Sequence, residues 1–312
     1  MVEEIAPREI YGKTLAELGK ENLRIVALDA DLCSSTMTNQ FGKAFPDRFF
    51  EVGIAEANMI GIASGLAACG KIPFASTFAV FAPGRCFDQV RVAVAQSKLN
   101  VKIVVTHAGV TVGEDGGSHQ ALEDIGMMCS LPGFTVVVPA DGVETAQVIR
   151  TVAAIDGPCY VRLCRPKLPV IFDNNYKFQL GKAATLKEGT DVTVIACGVM
   201  VSAALDAAKA LEVEGVKCRV RNMPTIKPID EAAIIKAAKE TGAIVTAEEH
   251  QEAGGLGSIV ARVLAKNDPV PMEMVAVKDV FGQSGKPAEL LAEYGLTAKD
   301  IAKAVKTVIK RK

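Results

Sequence analysis

The sequence predicts an α/β protein: two α/β domains with mainly parallel sheets. Three observations carry this. Short β-branched runs alternate with helix-length segments along the chain, and parallel strands need such long crossovers because helices cover both faces of their sheet. The 312 residues exceed the usual size of one hydrophobic core, and with 49% of them apolar they can bury two. The alternation lapses between Pro166 and Lys187 into Pro, Asp, Asn and Lys with no sustained period, as a surface linker would. The expected division is therefore 1–170, a linker over 171–187, and 188–312.

In the first unit, strands are expected at Arg24–Leu28, Phe49–Gly53, Val101–Thr106, Thr135–Pro139 and Cys159–Leu163. In the second they are expected at Val192–Cys197, Lys217–Met223, Ala243–Glu248 and Met272–Val277, with helices at Ser202–Glu214, Asp230–Glu240 and Ser258–Lys266. A closing helix, Ala298–Lys310, ends in bases that complement a helix C-terminus. No internal repeat or low-complexity tract interrupts the pattern.

Composition narrows the function classes. The 35 basic and 36 acidic residues nearly cancel, which leaves no positive field for nucleic acid or an anionic membrane surface. The longest apolar run, Ile72 to Pro83, falls short of the roughly 20 residues of a membrane span and is broken by Pro73, Ser76 and Thr77. Glu3 and Glu4 stand where an export signal would carry bases, so a cytoplasmic location is expected. The eight cysteines are scattered, with no two-residue-spaced pair to hold zinc, and read as small buried apolar side chains. No metal site is expected on this chain.

Two stretches carry chemistry. The segment Glu51-Val-Gly-Ile-Ala-Glu56 leaves a strand, turns at Gly53 and enters a helix, so Glu56 projects from a strand's carboxyl end, where open α/β sheets place their crevice. A first-turn acid also complements the helix dipole without any chemistry. The helix body, with Gly61, Ala63, Ser64, Gly65, Ala67 and Ala68, is expected to press against another backbone and bury Glu56. A buried carboxylate suits proton exchange with a bound heterocycle. Phe78 and Phe81 follow, available either to stack on a flat ring or to fill the core.

The second stretch is the loop His107-Ala-Gly-Val-Thr-Val-Gly-Glu-Asp-Gly-Gly-Ser-His-Gln120 after a strand, with two of the three histidines of the chain. Gly109, Gly113, Gly116 and Gly117 let the backbone approach a ligand, while Glu114, Asp115, Ser118 and His119 supply acids, a hydroxyl and a base. Substrate hydroxyl recognition with proton transfer, a metal site and a turn loop without chemistry are the readings open to it.

Six ordered blocks resemble the C-terminal half of transketolase: Ile54–Met59, Ser76–Phe81, Phe87–Arg91, Gly113–Gln120, Ala121–Asp124 and Ser284–Leu290. The resemblance implies a pyrimidine-binding domain followed by the transketolase C-terminal domain, with thiamin diphosphate as cofactor. It makes Glu56 the acid that hydrogen-bonds the aminopyrimidine ring and promotes deprotonation of the thiazolium carbon, with Phe78 and Phe81 beside that ring. His107, Asp115 and His119 then meet the carbonyl and hydroxyl groups of the sugar, His107 and His119 joining Glu56 as catalytic residues. Arg8, Ser35 and Arg165 correspond to the phosphate clamp, where a guanidinium fork suits an oxyanion. Gly117 departs from a common proline, and Gly84 and Cys86 replace bulkier residues near the pyrimidine.

The family's other half holds the diphosphate through Mg²⁺ (or Ca²⁺) with a Gly-Asp-Gly motif, and none occurs here. An N-terminal partner subunit is therefore expected to bring diphosphate and metal, in a heteromer that self-associates into a heterotetramer. The expected reaction moves a two-carbon ketol unit from a ketose phosphate to an aldose phosphate. A deoxyxylulose-phosphate synthase, the beta subunit of a 2-oxo acid dehydrogenase and a non-catalytic binding subunit are the alternatives. The glycine-rich run Glu248–Gly257 is not read as a dinucleotide loop, because it follows a late strand of the second unit.

Overall fold

The computed structural model describes residues 3–173 and 175–312. In the first unit the strands are β1 (Glu4–Ile5), β2 (Ile25–Asp29), β3 (Phe49–Glu51), β4 (Ile72–Phe78), β5 (Lys102–Thr106), β6 (Thr135–Val137), β7 (Cys159–Arg162) and β8 (Leu168–Pro169). Five of them flank or extend a centre formed by β4, in the order β6-β7-β5-β4-β2-β3, all parallel. Buried β-branched and apolar side chains on both faces explain the parallel arrangement.

The central strand β4 was not among the expected strands. Pro73 argues against such a position, since proline gives no N–H to a ladder. Register resolves this: Ile72 donates to Arg24 on the β2 side, so the Pro73 nitrogen faces β5, and β5 begins pairing only at Lys102 opposite Phe74. The missing donor therefore falls ahead of the ladder.

The second unit carries β9 (Ala184–Lys187), β10 (Val192–Ala196), β11 (Cys218–Asn222), β12 (Thr225–Lys227), β13 (Ile244–Gln251) and β14 (Met272–Val277). Its sheet runs β14-β13-β10-β11-β9, parallel except for the edge strand β9. The expected linker thus ends early, because residues 184–187 pair with β11. Helices Met200–Val213, Glu231–Thr241, Leu256–Asn267 and Ala298–Ile309 lie within a residue or two of their expected bounds.

The units interlock. Strand β12 leaves the second sheet and pairs antiparallel with β6, becoming the seventh strand of the first. One apolar core joins Val90, Val94 and Met128 with Met223, Ile234 and Val260. A buried polar knot reinforces this: Glu144 of the first unit accepts from Asn222 of β11 and from Tyr176 of the linker.

Helix Glu56–Ala68 packs Met59, Ile60 and Ala63 inward. Gly61 and Gly65 lie on its exposed face with open space where a side chain would stand. Among the described residues no backbone meets Gly61 or Gly65, because the apolar positions turn these glycines outward.

Candidate active site

Five parallel strands of the first sheet deliver residues to one end of it. Asp29 closes β2, Glu56 follows β3, Phe78 closes β4 with Phe81 just beyond it, His107 follows β5, and Arg165 follows β7. All are carboxyl ends, where the helix N-termini and loops of an open α/β sheet converge.

Glu56 is the first residue of its helix and is 4% exposed. Its Oε1 accepts from Arg85 Nη1 at 3.0 Å, and the Arg85 guanidinium lies over the Phe81 ring at 3.9 Å. Phe81 stacks on Phe78 with centroids 5.8 Å apart, and Phe78 stacks on the His107 imidazole at 3.8 Å. His119 meets the edge of both phenyl rings, at 6.4 Å from Phe78 and 5.4 Å from Phe81. The carboxylate, the two aromatics and the two histidines expected from sequence are thus one continuous cluster.

His107 sits at φ +57, a conformation costly for a residue with a Cβ. Its Nδ1 lies 2.8 Å from the Thr106 hydroxyl. Burial pushes its pKa down to about 3, with Arg8, Arg165 and His119 adding repulsion, so the ring is neutral at physiological pH. Ser118 Oγ stands 2.9 Å from His119 Nδ1, fixing that ring in turn.

The histidine loop is shaped by the second unit. Glu249 of β13 accepts from the Thr111 N–H at 2.6 Å. A Cβ on Gly109 would lie 2.1 Å from the Glu249 carboxyl carbon, so only glycine, here at φ +80, admits that acid. A Cβ on Gly117 would come 2.5 Å from the Gly282 carbonyl oxygen, and Gln120 Nε2 donates to Gln283 at 3.0 Å. A Cβ on Gly116 would come 2.6 Å from Ser284 Oγ and one on Gly113 3.3 Å from Pro287, so the block Ser284–Leu290 belongs to the wall behind the loop.

Arg8 and Arg165 meet because β1 pairs with β8, bringing the chain's start beside the exit from β7. They line a cleft of about 300 Å³ with Thr111, Lys167 and Pro287. Arg8 donates to the Ser35 carbonyl at 3.0 Å. Ser35 lies in the short helix Cys33–Thr36 rather than in an open loop, and Asp29 holds that turn by accepting from Leu32, Thr36 and Thr38. Asp115 is turned toward Arg165, 3.8 Å away, with Glu114 at 3.6 Å. Of the expected residues, Glu56, Phe78, Phe81, His107 and His119 form one group, and Arg8, Ser35, Asp115 and Arg165 form the adjoining one.

Sequence reasoning missed Arg85, Thr106, Asp29 and Glu249. Arg85 lies between two of the resemblance blocks, a lone base in a small-residue stretch, which was its one visible signal. Glu249 gave none, since its partner Thr111 is far away in the chain.

Elsewhere the chemistry is internal. The glycine run after β13 turns its helix N-terminus onto buried Glu248, whose carboxylate accepts from Leu256 and Gly257 at 2.7 Å. The anion position of that helix is thus filled from within. A larger cleft of about 820 Å³, bordered by Arg91, Lys98 and Asp156, lies at the amino ends of the strands, away from the cluster. Among the described residues, no group of three or more His, Cys, Asp or Glu side chains could hold a metal ion.

A family profile described as the transketolase pyrimidine binding domain matches residues 3–170, and one for the transketolase C-terminal domain matches residues 181–301. The chain belongs to the transketolase family. Its two α/β units are the pyrimidine-binding and C-terminal domains of that family. It is 49% identical over 307 residues to a putative transketolase C-terminal section of Methanocaldococcus jannaschii, covering 97% of this chain and 96% of that one. It is 45% identical over 305 residues to a 6-deoxy-6-sulfo-D-fructose transketolase subunit of Clostridium sp. strain MSTE9, covering 98% and 95%. A solved split-gene transketolase, described as an inactive β4 tetramer, superposes with a TM-score of 0.93 at 52% identity over 99% of both chains. The chain is a split-transketolase-type subunit.

Transketolases generally use thiamin diphosphate. The residues present suit the pyrimidine end of it: a buried carboxylate beside two stacked phenyl rings already holds a flat nitrogen donor, the Arg85 guanidinium.

Proposed function

We propose that this chain is the C-terminal subunit of a split transketolase, moving a two-carbon ketol unit from a ketose phosphate to an aldose phosphate. An N-terminal partner subunit would hold the diphosphate and Mg²⁺ of thiamin diphosphate, in a cytoplasmic heterotetramer. The observation that carries this reading is the unbroken contact chain from Glu56 through Arg85, Phe81 and Phe78 to His107 and His119, with Arg8 and Arg165 near enough to His107 to act on its charge. Relatives of matching length, named as a C-terminal section and as a subunit, support the division between two chains. No described helix is long and apolar enough to cross a membrane.

The cofactor, when bound, supplies the electron sink for carbon–carbon cleavage. The side chains do the rest. Glu56 would exchange a proton with the bound heterocycle, in a water-poor pocket. Phe78 and Phe81 hold the ring plane. His107, neutral, donates through Nε2 when the Thr106 hydroxyl donates to its Nδ1, and so polarises a substrate oxygen without adding charge. Asp115 accepts from sugar hydroxyls, His119 accepts from or donates to them through its ring nitrogens, and Arg8 and Arg165 neutralise the terminal anion by bidentate contacts.

The test is to co-purify the subunit with its partner and assay ketol transfer. Full activity from this chain without a second polypeptide refutes the reading. Parallel donors carrying a phosphate or a sulfonate decide which tetrahedral anion the arginine cleft takes, since a sulfosugar-named relative is 45% identical.

A further inference from the structure

Arg85 has no part in the mechanism above, yet it touches two of its principal residues. Its side chain is 50% exposed while the Glu56 side chain beneath it is 5% exposed. The only side-chain hydrogen bond of Arg85 among the described residues is the one to Glu56. Its other contact is the face of Phe81.

We propose that the Arg85 guanidinium is an internal stand-in for the cofactor's aminopyrimidine, a reading that rests on the thiamin diphosphate assignment above. Both groups are flat and offer a π face, and the pyrimidine, once protonated at its ring nitrogen, presents an N–H donor and a positive charge to the carboxylate as the guanidinium does. In the free subunit the guanidinium satisfies a carboxylate that would otherwise be buried without a partner, a costly state. It also keeps the Phe81 face covered. The incoming pyrimidine takes over the same acceptor and the same ring, and Arg85 swings outward into water, where its charge is readily solvated. The exchange replaces one planar donor by another, so Glu56 is never left alone in the pocket. Arg85 is thus a placeholder residue that delays cofactor entry and preserves the site until the partner subunit arrives.

The test uses Arg85→Met, which keeps the stem and removes both charge and donors. In the isolated subunit, the melting temperature should fall for Arg85→Met but not for Arg85→Met added to Glu56→Gln, because the neutral amide needs no cation. In the co-purified complex, titration calorimetry with thiamin diphosphate should give a dissociation constant roughly fivefold lower than wild type, since the bound arrangement no longer competes with the ion pair. Equal or weaker binding by Arg85→Met overturns the proposal, weaker binding marking Arg85 as a direct cofactor contact. Should Arg85→Met fail to fold, Arg85→Lys carries the test: it keeps an ion pair but loses the flat stacked fork, and binding no tighter than wild type again overturns the proposal. A wild-type complex that takes up no thiamin diphosphate sinks the functional assignment itself and this proposal with it.

Discussion

Replacing Glu249 by Gln tests how the second domain holds the histidine loop. The Glu249 carboxyl is buried at 3% exposure, and that burial, opposed by Arg162 and by the Thr111 N–H, pushes it from an ordinary 4.5 up to about 7. A folded carboxyl with a raised pKa binds its proton more tightly than the unfolded chain does. Its contribution to stability is therefore complete below about pH 4.5 and lost as pH rises through about 7. Some 2.5 pH units at about 1.4 kcal/mol each give an upper bound of about 3 kcal/mol. Glu144, raised to about 7 chiefly by burial, adds a loss of the same sign, so the reading must be a difference. Urea unfolding of wild type and Glu249→Gln at pH 5 and pH 8 provides it. The variant should lose up to about 3 kcal/mol less than wild type between those pH values. An identical drop in both proteins would refute the argument that Glu249 folds into the molecule protonated.

Three further outcomes are expected. Glu56→Gln should lower kcat of the assembled enzyme about 10²- to 10⁴-fold with little change in melting temperature, as for loss of a positioned acid–base group; retention of most activity removes Glu56 from the chemistry. Arg8→Ala and Arg165→Ala should each raise KM for a phosphorylated donor roughly tenfold to a hundredfold, the worth of a charge-assisted hydrogen bond, while an unphosphorylated sugar is affected far less. Equal losses on both donors would place the arginines outside an anion clamp. Because burial holds the His107 ring down to about 3, its ¹⁵N resonances should show no titration between pH 5 and 8, and a midpoint in that window contradicts the stacked, desolvated position.

The fold class was legible because burial on both sheet faces leaves continuous β-branched runs, and the two parallel sheets follow those runs. What escaped was whatever depends on register or on a distant partner. Strand β4 was hidden by Pro73, whose tolerance comes from where β5 starts and cannot be seen in the segment itself. Strand β12 is three residues long and pairs outside its own domain, so no local pattern marks it. Among site residues, Glu56, Phe78, Phe81 and the two histidines stood in glycine-rich or strand-end contexts. Arg85 and Glu249 act through contacts made only after folding. Composition predicts a backbone contact for the small face of the Glu56 helix, yet its glycines face outward, and burial of Glu56 comes instead from its place at the strand end beneath Arg85.

The two domains of this subunit are one device for presenting a loop. Residues 109–120 must put His119 beside two phenyl rings while turning Asp115 toward Arg165, and the loop has almost no secondary structure with which to do so. The second domain supplies the missing constraints from behind: Glu249 at Thr111, Gly282 against Gly117, Gln283 at Gln120. Arg162 ties that support back to the first sheet, donating to Asp124 and to the carbonyls of Ala121 and Glu249 at once. Its charge is fully buried, and removing one partner of such a pair leaves the other uncompensated. The C-terminal domain thus reaches the candidate site through the loop it shapes and through Pro287 in the wall of the arginine cleft, and its loss should free His119 from the rings without altering any residue of the pyrimidine-binding domain.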